Sequence, residues 1–302
     1  MRVLVTGASG FIGSRLVHRL TEEGHDVFCV RRDGAGRSTS GTDVFWDLES
    51  PVTPRDLPDR IDAVAHLAQA RHYRNFPDDA PEMFRVNVNA TAALLEYGRQ
   101  ARASVFCLVS SGTVYEPYDG RISEDAPVAP TRYLGASKLA AETLARPYAD
   151  LFDVSILRLF FPYGPGQTER LVPDVIERVR NGTPVHLASD GEGLRLVPTF
   201  VDDIAAVMET ALAAHWRGVF NIASPAVVNL RELAEVIGSA LGKQPCFDVN
   251  DRKAGAIVPD LERLRRRFDL SRFTPLEEGI RRTLAAQTEC SLEQRNVLGA
   301  DA

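Results

Sequence analysis

The residues best suited to chemistry lie in two stretches, Thr131-Arg-Tyr-Leu-Gly-Ala-Ser-Lys138 and Ser110-Ser-Gly-Thr-Val-Tyr115. A tyrosine and a lysine on one helical face hold a proton donor beside a cofactor ribose, and the ammonium charge lowers the pKa of the neighbouring phenol. The spacing here misses that pair by one residue. Residues four apart sit about 40° from each other around a helix, and residues five apart about 140°. Tyr133 and Lys138 therefore do not share a face, and the position four before Lys138 is Leu134, which does neither acid nor base work. Hydroxyls at the end of a strand, such as Ser110, Ser111 and Thr113, hydrogen-bond a substrate oxygen and orient a proton donor. Simple turn formation is the competing reading of the two serines.

Such groups need a strand, a turn and a helix to place them, and the chain begins with that unit. Arg2–Thr6 is a β-branched, apolar run suited to a buried strand, followed by Gly7-Ala-Ser-Gly10-Phe11-Ile12-Gly13 and a helical pattern to about Glu23. Glycines let the backbone approach a pyrophosphate, and free N–H groups at the start of the helix favour its charge. A second strand, Asp26–Val30, ends at Arg31-Arg32, about 20 residues past the glycines, where an acidic residue takes the ribose 2′-hydroxyl and arginine takes a 2′-phosphate. The arginines favour NADP; as solvated loop residues they leave NAD as the cofactor. After a strand at Asp43–Trp46, Asp47 either reaches the adenine amino group or caps a turn.

Ala63–Leu67 reads as the next buried strand, with Ala68-Gln69-Ala70 small enough for a cofactor to lie across its end. His66 reads as a core residue with a satisfied hydrogen bond rather than a base. The polar and aromatic loop Ala70–Ala80, with Arg71, His72, Tyr73, Arg74 and Phe76, leaves the carboxyl end of that strand, the side on which open α/β sheets bind ligands. A helix over Pro81–Arg102 carries Asn87, Ser104–Val109 is a core strand, and a helix over Tyr133–Ala149 carries Lys138.

After the strand Val154–Phe160, the rigid turn Phe161-Pro-Tyr-Gly-Pro-Gly166 marks the exit into a second lobe. There the pattern gives a helix at Leu171–Arg180, a strand at Val185–Leu187, and Arg195 beside glycines, either a phosphate clamp or the partner of a surface carboxylate. Asp202-Asp203 reads as the cap of a helix over Ile204–Ala214. A strand at Val219–Ile222, an amphipathic helix at Asn229–Leu241 and two helices within 260–288, parted by Thr274-Pro275, complete the pattern.

The chain of 302 residues carries a net charge of −6 with 25% charged residues, so it has no basic field to gather nucleic acid. No apolar run approaches the roughly 20 residues of a membrane span. Cys29, Cys107, Cys246 and Cys290 lie far apart and read as reduced thiols of a cytoplasmic protein, and the N-terminus lacks the pattern of a signal peptide. No spacing suits a metal site.

Taken in order, Gly7-Ala-Ser-Gly-Phe-Ile-Gly13, His66-Leu-Ala68, Asn87-Val-Asn-Ala-Thr91, Ser110-Ser-Gly-Thr-Val-Tyr115, Gly135-Ala-Ser-Lys138 and Tyr163-Gly-Pro165 resemble the extended short-chain dehydrogenases/reductases. Within these, the chain is similar to the NAD(P)-dependent epimerases/dehydratases, which act mainly on nucleotide sugars, as far as about residue 288. The resemblance implies an α/β fold, a Rossmann-type doubly wound parallel sheet of about seven strands with a smaller C-terminal α+β substrate lobe. Residues 1–160 form the NAD(P)-binding domain, with 195–224 returning to it; 161–194 and 225–288 form the lobe, and 289–302 a flexible tail. It implies a homodimer, often formed through four helices. Ser111 matches the catalytic serine or threonine, Lys138 the lysine and Asn87 a structural asparagine. Gly7, Gly10, Phe11, Ile12, Gly13, Arg31, Arg32, Asp47, Leu48, Leu67, Ala68, Gln69, Asn87 and Lys138 are the expected cofactor contacts. Tyr73, Ser111, Thr113, Phe161 and Arg195 are the expected substrate contacts.

Three positions depart from the family pattern. Leu134 stands at the catalytic tyrosine, with Pro130 keeping its usual separation from the lysine; Phe161 falls where an asparagine is frequent, and Arg195 is displaced by one from the usual arginine. Either Tyr133, at the irregular start of its helix, serves as the proton donor, or Tyr73, His72 or the substrate supplies the proton, or the site binds cofactor without this redox reaction. The leading expectation is an NADP-dependent epimerase/reductase-type enzyme on a nucleotide-linked sugar or related carbonyl or alcohol. The alternative is a cofactor-binding sensor or partner subunit without turnover.

Overall fold

The computed structural model describes residues 1–32, 40–50, 57–118 and 120–299, with side chains as far as 288. The side chain of Cys290 and those of the rest of the expected tail lie outside what is described. The chain opens with β1 (Arg2–Thr6), α1 (Gly13–Glu22), β2 (Asp26–Arg31), β3 (Thr42–Phe45) and β4 (Ala63–His66). Next come α2 (Ala80–Met83), a π-helical segment Phe84–Asn89, α3 (Ala90–Gln100), β5 (Val105–Ser111), α4 (Tyr133–Ala145) and β6 (Asp153–Leu159). Then follow β7 (Pro162–Tyr163), α5 (Leu171–Asn181), β8 (Val185–Leu187), β9 (Arg195–Leu196), β10 (Thr199–Phe200), α6 (Val201–Ala213) and β11 (Gly218–Ile222). β12 (Val228–Asn229), α7 (Leu230–Leu241), β13 (Phe247–Val249), α8 (Glu262–Arg265) and α9 (Leu276–Gly299) complete the order.

Two compact units result, one of Met1–Leu159, Ile204–Ile222 and Asp260–Phe268, the other of Phe160–Asp203, Ala223–Pro259 and Asp269–Ala302. The first holds a seven-stranded sheet in the order β11-β6-β5-β4-β1-β2-β3, every neighbouring pair parallel. A strand buried on both faces needs an unbroken apolar run, and β4 and the first six residues of β5 are fully buried. α1 lays Leu16, Val17 and Leu20 against the core and ends before Gly24, whose φ of +75° lets the chain leave the helix. After β3 the chain crosses to the other side of β1 to begin β4, so the gap between β1 and β4 is the topological switch point where such sheets receive ligands.

The second unit gathers α5, α7 and α9 through Val175, Ile176, Leu233, Ile237, Ile280 and Leu284 around short strand pairs. The antiparallel pair β9/β12 leads into α7, whose N-terminus Asn229 and Glu232 close with a capping box. Helix α9 crosses Tyr163 so closely that a Cβ at Gly279 would lie 2.1 Å from the phenol oxygen.

Several sequence readings change. The helix expected over Pro81–Arg102 contains the π turn Phe84–Asn89. Helix α6 already begins at Val201, so Asp202 and Asp203 sit in its first turn; the Asp203 carboxylate takes the Thr274 N–H and hydroxyl, both at 2.8 Å, instead of capping α6. Strand β13, too short and polar to announce itself, pairs with β8. Asp260–Phe268, grouped by pattern with the smaller lobe, packs in the first unit, where the Asp260 carbonyl accepts from Asn221 Nδ2 at 3.4 Å. The helix α9 continues through the stretch read as a tail as far as Gly299.

Candidate active site

The glycine turn leaves β1 and enters α1. Gly7 has φ +67°, and a Cβ there would stand 3.0 Å from the Ala68 nitrogen, so the ends of β1 and β4 touch through backbone alone. At Gly13 a Cβ would fall 2.0 Å from the Gly7 carbonyl oxygen, which no side chain permits. Phe11 and Ile12 are half-buried, and no side chain caps the N-terminus of α1 at Ile12. A pyrophosphate fits this cradle because the backbone is bare where it must approach and no side chain caps the helix start, whose dipole favours a negative charge.

Beneath the cradle runs a chain of buried hydrogen bonds. The Thr6 hydroxyl meets His66 Nδ1 at 2.7 Å and accepts from the Ala68 N–H at 3.2 Å, while His66 Nε2 meets the Thr91 hydroxyl at 2.9 Å. Burial, with the Lys138 charge adding to it, pushes the His66 pKa down to about 3, so this ring stays neutral and structural. Thr91 donates to the Asn87 carbonyl at 2.8 Å within the altered helix, and the Asn87 amide accepts from the Ala70 N–H at 3.0 Å and donates to Ser137 Oγ at 3.0 Å. Ser137 in turn donates to the Leu134 carbonyl at 2.9 Å. Asn87 thus ties the turn after β4 to the first turn of α4. Leu67 and Gln69 flank this turn, each half-buried.

Ser111 ends β5, and its oxygen accepts from the Thr113 N–H at 3.2 Å and the Thr113 hydroxyl at 3.0 Å. Lys138 is buried on α4, its ammonium donating to the Val109 carbonyl at 3.2 Å, two residues before Ser111 on the same strand. Burial pushes its pKa down to about 8, opposed by the Glu142 charge. Leu134 packs, with Tyr73 and Tyr133, against the apolar cluster Ala70, Met83 and Val86. The Tyr133 ring also lies against Phe76, centroids 5.6 Å apart. Tyr73 carries Arg74 over its ring at 5.9 Å, and Glu82 fastens the loop by accepting from the Arg71 N–H at 2.8 Å and pairing with His72 Nδ1 at 2.7 Å.

A buried ionic pair lies one turn past Lys138. Glu142, wholly buried, takes the Arg158 guanidinium through two bonds of 2.9 and 2.6 Å and the Ser110 hydroxyl at 2.5 Å. Ser110 is thereby committed to structure, which leaves Ser111 as the serine at the strand end. Arg158 also lies 4.6 Å from the Tyr115 ring centroid, and the Tyr115 hydroxyl donates to Asn221 Oδ1 at 2.8 Å. Sequence reasoning passed over this pair, although a charged residue inside the apolar run Val154–Phe160 signals a buried partner.

At the end of β2, Arg31 is buried and its Nη1 stands 3.3 Å from Asp43 Oδ1, while Arg32 Nη1 lies 3.9 Å from Glu49 Oε1. Asp47 accepts from the Glu49 N–H at 3.0 Å, which makes it a turn former here, and Leu48 packs against the core. Phe161 and Arg195 belong to the second unit. Phe161 has φ +41°, a strained region for a side-chain-bearing residue, and its carbonyl accepts from the Thr199 N–H at 2.9 Å. Arg195 is exposed on β9 while Leu196 is fully buried, so the two face opposite sides of the strand.

Residues 3–223 match the model of the NAD dependent epimerase/dehydratase family. The chain belongs to that family, and with it to enzymes built on an extended Rossmann fold. It is 32% identical over 261 residues to the UDP-glucose 4-epimerase of Mycolicibacterium smegmatis, covering 80% of this chain and 83% of that one. It is 31% identical over 259 residues to the low-salt glycan biosynthesis protein Agl12 of Haloferax volcanii, with 80% and 83% covered. Among solved structures, MoeE5 in complex with UDP-glucuronic acid and NAD superposes with a TM-score of 0.82 at 31% identity, covering 96% of this chain and all of that one. No helix among the described residues is long and apolar enough to cross a membrane.

Proposed function

We propose that the protein is an NADP-dependent enzyme of the epimerase or reductase type acting on a nucleotide-linked sugar or a related carbonyl or alcohol, with proton transfer by a group other than a tyrosine at position 134. The observation that carries this reading is Lys138, a buried ammonium that spends one N–H on the Val109 carbonyl, in the same unit as a glycine turn of bare backbone. Its two other N–H groups suit the hydroxyls of a nicotinamide ribose. The names of the relatives support the substrate class, since MoeE5 binds a UDP-sugar and the mycobacterial relative is a UDP-glucose 4-epimerase. Arginine rather than a carboxylate at position 31 supports the 2′-phosphate. The reading includes a cytoplasmic homodimer on the family resemblance alone, and analytical ultracentrifugation tests the pairing.

The bound nicotinamide supplies a hydride acceptor or donor. The chain's own residues hold and orient the substrate oxygen. Ser111 Oγ accepts from both the N–H and the hydroxyl of Thr113, so its own hydrogen is left to donate to a substrate oxygen. Tyr133 is the phenol next to the vacated position and takes the role of proton donor.

The test combines titration of the purified protein with NADPH and NADH and incubation of the loaded protein with UDP- and dTDP-sugars followed by NMR. Stronger NADPH binding and a changed sugar are expected. Tyr133→Phe should lower turnover by orders of magnitude and spare cofactor affinity, and unchanged turnover removes Tyr133 from the reaction. The second reading, cofactor binding without turnover, is favoured by the apolar packing of Leu134. It stands if cofactor binds and no sugar reacts, and Leu134→Tyr should then create turnover.

A further inference from the structure

Three arginines stand near the expected adenosine end, the consecutive Arg31 and Arg32 at the end of β2 and Arg85 on the π turn, and they share too few carboxylates. Glu49 serves two of them, with Oε2 at 3.1 Å from Arg85 Nη2 and Oε1 at 3.9 Å from Arg32 Nη1. The second distance is an ion pair without a hydrogen bond. Arg31 reaches Asp43 through Nη1, while its Nε is buried and finds no hydrogen-bond partner among the described residues. A guanidinium carries five donors, so this group holds unused donors around a single bridging carboxylate. A buried donor left without a partner is costly, which makes an arriving acceptor favourable.

We infer that Arg85, on the π turn of the helix that also carries Asn87, is a specificity residue that closes on the 2′-phosphate of the cofactor together with Arg32, and that Glu49 holds the two guanidiniums in position until the phosphate arrives. The inference rests on the NADP reading above. Glu49 keeps Arg32 and Arg85 on either side of one anionic centre. A phosphate monoester offers three acceptor oxygens and more charge than a carboxylate, so it satisfies both guanidiniums more fully. Arg85 is partly exposed and its one ion pair among the described residues is with Glu49, so its removal leaves the fold in place.

Calorimetry with adenosine 5′-monophosphate and adenosine 2′,5′-diphosphate isolates the effect, because the two probes differ only in the 2′-phosphate. The wild-type protein should bind the 2′,5′-diphosphate more tightly by roughly ten- to a hundredfold, the worth of one or two charge-assisted hydrogen bonds. Arg85→Ala should lose about tenfold or more of that preference and leave the affinity for the 5′-monophosphate unchanged. Glu49→Gln, which removes a like charge and keeps the shape, should raise the preference. Equal binding of the two probes by the wild-type protein overturns the NADP reading and this inference with it. A wild-type preference that survives Arg85→Ala, an equal weakening of both probes in that variant, or a fall in preference in Glu49→Gln overturns the role of the arginine and carboxylate alone and leaves the NADP reading standing.

Discussion

Replacing Lys138 by methionine, which keeps the length of the side chain and removes the charge, should change how stability depends on pH. The buried ammonium has its pKa pushed down to about 8 from 10.5. An unfolded chain keeps the lysine proton up to its ordinary pKa, so between these two values the unfolded state binds more protons than the native one and stability rises with pH. Below the lower value the native state bears the whole cost of the desolvated charge, roughly 3 kcal/mol from the separation of the two pKa values. Relative to Lys138→Met, the wild-type protein should therefore gain about 2 to 3 kcal/mol between about pH 7 and pH 10. Urea unfolding of both proteins, free of cofactor and at constant ionic strength, measures the gain. Cys107, which burial pushes up to about 12, and Tyr97, raised to about 12 by burial, also titrate differently on unfolding, but both proteins contain them and they cancel in the difference. Parallel pH profiles for the two proteins would refute the claim that this ammonium is held out of water. A gain of the opposite sign would show that Glu142 more than offsets the burial.

Two further outcomes follow from the geometry. Gly13→Ala places a methyl group inside the reach of the Gly7 carbonyl and should abolish binding of NADPH and NADH alike in a fluorescence titration, with a lower melting temperature. Glu142→Gln strips the buried Arg158 of its counter-ion and should destabilise the protein by about 3 to 5 kcal/mol in chemical denaturation, whereas breaking an exposed pair such as Arg99 with Glu96 should leave the unfolding midpoint nearly unchanged.

What the sequence made legible was local. The turn from β1 to α1 needs bare backbone within seven residues, and the glycines at 7, 10 and 13 announce it. The absence of a phenol four residues before Lys138 is equally local. Partners distant along the chain were illegible for the corresponding reason. Asp203 binds Thr274, Tyr115 binds Asn221, and the cluster that receives Leu134 draws Ala70, Met83 and Val86 from other elements. The π turn around Asn87 lies between these cases, because its hydrophobic pattern is that of a helix while the Asn87 amide it carries reaches partners on two other elements. Arg195 shows the reverse, since strand alternation alone sends it away from the side of its buried neighbour Leu196.

The buried chain from Thr6 through His66, Thr91, Asn87 and Ser137 ends on the carbonyl of Leu134, not on its side chain. The scaffold therefore fixes where residue 134 stands without reference to what that residue is. Frame and reagent are separable at this point: the reagent can be lost or regained by a single substitution while the frame persists. Selection acting on cofactor binding alone would preserve the frame and, with it, an open route back to chemistry.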